Sequence, residues 1–415
     1  MGRKLSVHSE TGRLRRVVVH TPGAEVEAMR PSRAEEDLYN DIIPLDIVRT
    51  EHAELKSFLS RIAAVYEMTD LLHEVLVDPA AKAEFARFMA DYYHADHRLE
   101  ELLSMEPAEL ARVSVAGLPA YHVHLASLLK GKEYDLQPLP NMYFMRDAAM
   151  VYRGKSVSSA MRFRVRRMEA LINHFVFSRH PDFTGDGCLL NGPEHVSDGF
   201  SIEGGDFQVI RKNVVAIGVS ERTSASAIDS MASRMADAYG EPISIFAVEL
   251  PVARATIHLD MAFTVVDNDS CLVYEPVILG QRRARVIRVD AVPDKDPILK
   301  EVPSLLAGLK GAGIDLEPVL TGGLNPVHQE REQWMSGANS FSFAPGKIIM
   351  YSCNLHTVEA LSQAGFEIRQ ASHFIDGKED PMSFKRLVVG FDGVELARGG
   401  GGARCMTCPI ERDDA

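Results

Sequence analysis

Short β-branched apolar runs recur along the chain at Val17 to Val19, Val214 to Val219, Phe263 to Val266, Ile348 to Tyr351 and Leu387 to Phe391. Gly, Asn, Asp or Pro bound them, a pattern that predicts buried strands. Between them, Ala225 to Tyr239 carries apolar positions three and four residues apart, which predicts an amphipathic helix. The alternation of the two patterns reads as an α/β fold. One segment departs from it. From about Asp70 to Lys130 the chain is rich in Leu, Ala, Glu and His, has helix starts at Asp78-Pro79 and Glu106-Pro107, and lacks strand-like runs. This predicts an inserted helical subdomain over residues 70–130, with residues 1–69 and 131–415 forming the main α/β domain. The insertion carries no chemical motif, which favours a lid or packing role.

Composition narrows the function classes. With 415 residues and 46% of them hydrophobic, the chain can bury a substantial core. A net charge of −13 argues against nucleic acid as a partner, because a polyphosphate needs a concentrated basic surface. The short basic cluster Arg162 to Arg167 therefore calls for another explanation. No apolar run of eighteen residues offers a membrane span, and the N-terminal residues lack the apolar core of a signal peptide, so a cytoplasmic protein is expected. The cysteines, Cys188, Cys271, Cys353, Cys405 and Cys408, are odd in number and show no disulfide framework, which fits a reducing compartment. Met1-Gly2 with Ser6 matches a myristoylation pattern and Asn268-Asp269-Ser270 a glycosylation sequon, both short enough to recur by chance.

Four motifs carry candidate chemistry. In Glu203-Gly204-Gly205-Asp206, glycines let the backbone turn while two carboxylates stay close, an arrangement able to grip a cation or to form an ordinary surface turn. His258-Leu259-Asp260 puts a base and a carboxylate on one face if the local chain is extended. The stretch Asn141 to Asp147 sets an Arg-Asp pair in apolar surroundings, where burial requires pairing. Cys405, after Gly399 to Gly402, is a candidate nucleophile. Cys405-x-x-Cys408 also fits a redox dithiol or half a metal site, but no second pair completes four ligands and no helix-opening context surrounds it. Asp147 and Glu203 stand 56 residues apart, and Glu203 and His258 stand 55 apart, a near-equal spacing compatible with a repeated supersecondary unit that delivers one group at a time to a common centre.

Taken in order, Val7 to Val17, Asn141 to Asp147, Glu203 to Asp206, Ser220-Glu221-Arg222-Thr223, His258 to Asp260, Arg331-Glu332-Gln333-Trp334 and Arg404 to Pro409 resemble the bacterial arginine deiminases. The resemblance runs from residue 7 to the C-terminus. It implies a five-bladed α/β propeller with pseudo-fivefold symmetry, a helical insertion near residues 70–130, and hydrolysis of L-arginine to L-citrulline and ammonia as the first step of arginine breakdown. It implies no metal and no organic cofactor, and a homo-oligomer, dimer or tetramer. Carried onto this chain, it makes Cys405 the nucleophile that forms a covalent thiouronium intermediate and His258 the acid and base. Glu203 would support the histidine, and Asp147 and Asp260 would grip the guanidinium. Arg222, Arg166 within the basic cluster, and Asn141 would bind the amino-acid end of the substrate. Many of those enzymes carry an Arg or Asn where this chain has Gly399 to Gly402, which implies a more mobile loop here and an altered KM. A deiminase of another guanidine such as agmatine, an amidinotransferase, and an inactive arginine-binding homologue are the alternatives.

Overall fold

The computed structural model describes residues 4–414 except 40, 122–124, 126–128, 130, 132, 184, 196 and 198. Gly2 of the myristoylation pattern and most of residues 122–130 of the expected insertion lie outside the described residues.

One three-stranded motif occurs five times. In each, an antiparallel pair of strands is followed by a helical connection, and a third strand returns parallel to the second strand of the pair. The motif is built from Ala149–Tyr152, Lys155–Ser158 and Cys188–Asn191, and again from Phe207–Arg211, Val214–Val219 and Ile243–Glu249. It recurs in Phe263–Asp267, Ser270–Val273 and Glu317–Leu320, and in Phe341–Ala344, Lys347–Tyr351 and Leu387–Phe391. The fifth copy joins the two ends of the chain: Cys408–Arg412 pairs antiparallel with Leu14–Val19, which pairs parallel with Ala64–Glu67. Additions at sheet edges disguise the repeat. Arg285–Ala291 and Ile298–Val302 extend the second sheet, and Glu367–Gln370 flanks the fourth. Every strand-like run named from the sequence falls within one of these strands.

The helices bury the faces that their spacing predicts. Ala225–Tyr239 begins at Ser224, whose side chain accepts the Ala227 N–H, and ends at Gly240 with φ 62°. Its stripe Ile228, Met231, Ala232 and Met235 is buried against the second sheet. Between residues 68 and 116 the chain is helical, in Met68–Leu76, Pro79–Tyr93, Leu99–Ser104 and Pro107–Ala116. Asp78 caps the second of these through the Ala80 N–H, with Pro79 in the first turn. Leu72, Phe85 and Leu110 are fully buried and belong to one core with Ile172 and Val176 of helix Arg167–Arg179, so the helical segment packs on the connection of the first unit. No helix among the described residues is long and apolar enough to cross a membrane.

The chain's most consequential placement concerns the residues just ahead of each unit's first strand. Asp147 precedes Ala149–Tyr152, Glu203 to Asp206 precede Phe207–Arg211, and His258 and Asp260 precede Phe263–Asp267. Asn339 precedes Phe341–Ala344, and Cys405 precedes Cys408–Arg412. The repeat brings all five to one centre.

Helix Leu45–Ile62 connects the strands of the chain-end unit and fills the space beside the fourth sheet with Phe58. Phe58 is 0% exposed and meets the rings of Phe343 and Phe374 edge to face at 5.2 and 6.0 Å. Phe58→Ala is expected to destabilise the protein by about 3–5 kcal/mol, read as a lower urea midpoint; an unchanged midpoint would show that this contact does not join the two units.

Candidate active site

Tight backbone turns aim the side chains at the centre. Asp147 sits in the turn Met145–Ala148, tied to the nucleophile segment by the Arg146 N–H, which donates to the Cys405 carbonyl at 2.9 Å. Glu203 enters an abrupt turn at Gly204–Asp206. A Cβ on Gly205 would lie 2.5 Å from His258 Nδ1, so only glycine lets the histidine approach this closely. Asp206 is scaffold: its carboxylate accepts the Leu259 N–H at 2.9 Å and the Ser220 hydroxyl at 2.6 Å, and burial pushes its pKa up to about 6. His258 is extended, but Leu259–Met261 forms a turn, so the His-x-Asp pair is not the extended alternation that the spacing predicts. Instead the turn sends His258 toward Glu203 and Asp260 toward Arg404.

The centre is a set of buried charges in alternation. His258 Nε2 is 3.0 Å from Glu203 Oε2, and its Nδ1 is 3.7 Å from Asp147 Oδ1. Burial of the ring opposes its charge, but Asp147, Glu203 and Asp206 outweigh burial and push its pKa up to about 9. Burial likewise opposes ionisation of Glu203, yet Arg222, His258 and Arg166 bring it down to about 2. At neutral pH this pair is therefore an imidazolium beside a carboxylate. Each carboxylate leans on an arginine. Asp147 Oδ2 accepts from Arg166 at 2.6 Å, Glu203 Oε2 from Arg222 at 3.4 Å, and Asp260 Oδ2 from Arg404 at 2.8 Å. Arg404 in turn holds Glu10 through two N–H groups at 3.1 Å. The second oxygens are different: Asp147 Oδ1 and Asp260 Oδ1 are buried without a hydrogen-bond partner among the described residues.

Between these carboxylates lies the thiol. Cys405 is 4% exposed, and its Sγ is 3.9 Å from Asp260 Oδ2. Burial, then Asp260 and Asp147, hold its pKa well above the ordinary thiol value, which favours the neutral thiol. Asn339 fixes the segment: its Oδ1 accepts the N–H groups of Arg404 and Cys405 at 3.1 Å each, and its Nδ2 donates to the Asp260 carbonyl at 3.3 Å. Cys408 is no partner for redox chemistry here. It lies within a strand, its Sγ faces the Ala149 carbonyl at 3.3 Å, and burial pushes its pKa up to about 11.

A cleft opens above the thiol, and Asn141, Arg166 and Arg222 line it with Asp147 and His258. Arg166 is fully engaged, with Asp147 on one side and both oxygens of Glu169 on the other. Asn141 donates through Nδ2 to the Asp37 carbonyl at 2.8 Å. Six of the eight candidate residues thus line one cleft, and Glu203 and Asp260 adjoin it through His258 and Cys405. Sequence reasoning missed Asn339 and the bracing role of Glu10; the recurrence of site residues just before each first strand is the signal that points to Asn339. As for a metal, Asp147, Glu203 and His258 each bring a potential ligand atom within 4.8 Å of the other two, and Arg166 and Arg222 already compensate the two carboxylates.

The loop before Cys405 is closely packed. A Cβ on Gly399 would come within 2.4 Å of the Tyr143 hydroxyl, on Gly401 within 2.4 Å of the Phe144 ring, and on Gly402 within 2.5 Å of the Asn339 carbonyl. At Gly400, with φ +100°, a Cβ would meet only the Arg254 guanidinium, at 3.5 Å.

The model of the family described as arginine deiminase matches residues 36–412. The arginine deiminase of Mycobacterium bovis (strain BCG / Pasteur 1173P2) is 31% identical over 431 residues, covering all of both chains. That of Lactococcus lactis subsp. lactis is 31% identical over 439 residues, again covering all of both. Among solved structures, the amidinotransferase SxtG from Microseira wollei superposes with a TM-score of 0.55 at 13% identity, covering 99% of this chain and 98% of that one. The N-terminal domain of ArgZ, a cyanobacterial arginine dihydrolase, gives 0.53 at 13% identity, covering 96% and 98%. At that identity the structures establish a shared α/β fold.

If the two carboxylates hold the thiol protonated, removing one charge favours the thiolate. Asp147→Asn is therefore expected to shift the pH midpoint of Cys405 alkylation by iodoacetamide downward. A midpoint at or above that of wild type would contradict this account of the thiol.

Proposed function

The chain belongs to the arginine deiminase family, and from that premise we propose that it hydrolyses L-arginine to L-citrulline and ammonia through a covalent bond to Cys405. The observation that carries the proposal is the pair of unpartnered buried oxygens, Asp147 Oδ1 and Asp260 Oδ1, beside the buried thiol. A planar guanidinium offers parallel N–H groups to two such carboxylates and relieves both of their uncompensated burial.

The same cation triggers the chemistry. Docked between Asp147 and Asp260, it offsets the charges that keep the thiol protonated, and the thiol releases its proton to solvent water. Cys405 Sγ bonds to the guanidinium carbon. His258, charged because its pKa lies near 9, gives a proton to one terminal nitrogen. The carbon–nitrogen bond breaks, ammonia departs, and a thiouronium remains on the sulfur. Neutral His258 then takes a proton from water as the oxygen attacks the same carbon. The carbon–sulfur bond breaks, the sulfur regains the other water proton, and citrulline leaves. Glu203 keeps His258 oriented and basic through both steps, and Asn339 holds the sulfur in place. Arg166 braces Asp147, while Arg222 and Asn141 face the amino-acid end of the substrate.

The fold supports the reading. We take the five repeated units as five blades of a propeller that surrounds the site, with residues 70–130 as a helical insertion on the main domain. All five cysteines are free, in keeping with a reducing cytoplasm.

Wild-type protein is expected to produce citrulline from L-arginine and Cys405→Ala none, measured as ureido product; citrulline from the Cys405→Ala protein would sink the covalent route. The pH dependence has a fixed sign. His258 must enter protonated, so kcat/KM is expected to fall as pH rises through about 9. Asp260 must be ionised to grip the cation, and burial raises its pKa, so the acid limb is expected above the ordinary carboxylate range. A profile flat through pH 10 would remove His258 from the proton-donor role.

A further inference from the structure

Four arginines line the cleft: Arg166, Arg222, Arg254 and Arg398. Three of them have carboxylate partners. Arg166 holds Asp147 and Glu169, Arg222 holds Glu203, and Arg398 at the rim holds Asp41 and Glu395. Arg254 has none among the described residues, and its one hydrogen bond is a long contact of 3.4 Å from Nη2 to the Leu38 carbonyl. We propose that Arg254 is a specificity-determining residue of this site, which together with Arg222 takes the substrate's α-carboxylate. The inference rests on the arginine deiminase reading of the same cleft and assigns a residue that the sequence motifs do not include.

Position, charge and space support it together. Arg254 belongs to the turn Arg254–Thr256, four residues ahead of His258, so its guanidinium is fixed to the same short segment as the acid-base group. It is half-buried and lines the same cleft as Arg222, and burial followed by repulsion from Arg222 lowers its pKa. An anion placed there gains from both. The floor of the cleft has the opposite character, with the carboxylates of Asp147 and Asp260 acting on the thiol. A ligand with a cationic guanidinium at one end and a carboxylate at the other matches this polarity, whereas agmatine, with an amine in place of the amino-acid end, would bring a second cation to the two arginines. Gly400 keeps the opening clear. Its Cβ position would lie 3.5 Å from Arg254 Nη2, so any longer side chain on the loop would compete for the space in front of that guanidinium.

The experiment compares Arg254→Gln and Arg254→Lys with wild type. KM and kcat for L-arginine are read from citrulline formation, and the inhibition constant of L-argininamide, which keeps the guanidinium but has no carboxylate, from competition. Loss of one charge-assisted carboxylate contact is expected to raise the KM for L-arginine by roughly 10- to 100-fold in Arg254→Gln. Its kcat is expected to stay within about threefold of wild type, and its inhibition constant for L-argininamide equally so. Arg254→Lys, which keeps the charge, is expected to recover part of the lost affinity. An unchanged KM in Arg254→Gln overturns the inference while leaving the deiminase reading intact. Equal losses for L-arginine and L-argininamide, or a loss confined to kcat, also overturn it, since they mark Arg254 as a support for the loop or for His258. A wild type inert on L-arginine overturns the deiminase reading itself, and the inference with it.

Discussion

Three carboxylates held dry in one site, two of them acting on its thiol, are the constraint on which the rest of the structure depends. Asp147, Glu203 and Asp260 are each at most 4% exposed, and burying a charge without a partner costs several kcal/mol. The protein sets a buried arginine against each, Arg166, Arg222 and Arg404, and then anchors two of those arginines with further acids, Glu169 and Glu10. The compensation is deliberately incomplete on one side. The arginine contacts reach Oδ2 of Asp147 and Oδ2 of Asp260, and Oδ1 of each has no hydrogen bond among the described residues. An unsatisfied buried acceptor is costly in the empty protein and favourable once a donor arrives. The site therefore stores affinity for a planar cation in the same two carboxylates that hold the thiol neutral.

The repeated unit explains how one chain can gather such charges. Each copy sends the residues before its first strand to the same place, so the site needs no long-range loop excursion to assemble. Asn339 shows the point best: it carries no chemistry of its own, yet it occupies the fourth unit's equivalent position and fixes both Arg404 and Cys405 by their N–H groups. The fifth unit requires the ends of the chain to pair. Cys408–Arg412 lies beside Leu14–Val19, and Glu10, just ahead of that strand, reaches Arg404. The nucleophile is thus positioned by residues from the opposite end of the sequence.

Much of this was legible before the structure. The β-branched runs marked strands because they are buried on both faces, and Ala225–Tyr239 marked a helix because its apolar stripe has helical spacing. The spacing of Asp147, Glu203 and His258 hinted at the repeat, but the two strands between Arg285 and Val302 stretch the next interval and hide it. Motif resemblance located the charged residues, because their identities are dictated by chemistry. It could not locate their partners. Glu10, Asn339 and Arg254 act through geometry set by distant segments, and a lone Asn before a strand or an Arg in a turn has no signature of its own. The His-x-Asp pair shows the same limit: alternation along an extended chain would have aimed both groups one way, and the turn at Leu259–Met261 separates their tasks.

The thiol's neutrality when the cleft is empty has a consequence for the protein's chemistry as a whole. Thiolates are the species that oxidise and alkylate, and a nucleophile kept permanently ionised would be exposed to both. In the proposed mechanism ionisation is tied to occupancy, because the charge that favours deprotonation belongs to the ligand. Burial contributes twice: it raises the pKa of Cys405 in the empty site, and it strengthens the effect of the guanidinium once water has been displaced from around the carboxylates. The packed glycines at Gly399, Gly401 and Gly402 serve the same end, since they let backbone close over the sulfur where any side chain would hold it open. Selectivity and protection then come from one arrangement, in which a molecule that fails to place a cation between Asp147 and Asp260 also fails to create the nucleophile that would attack it.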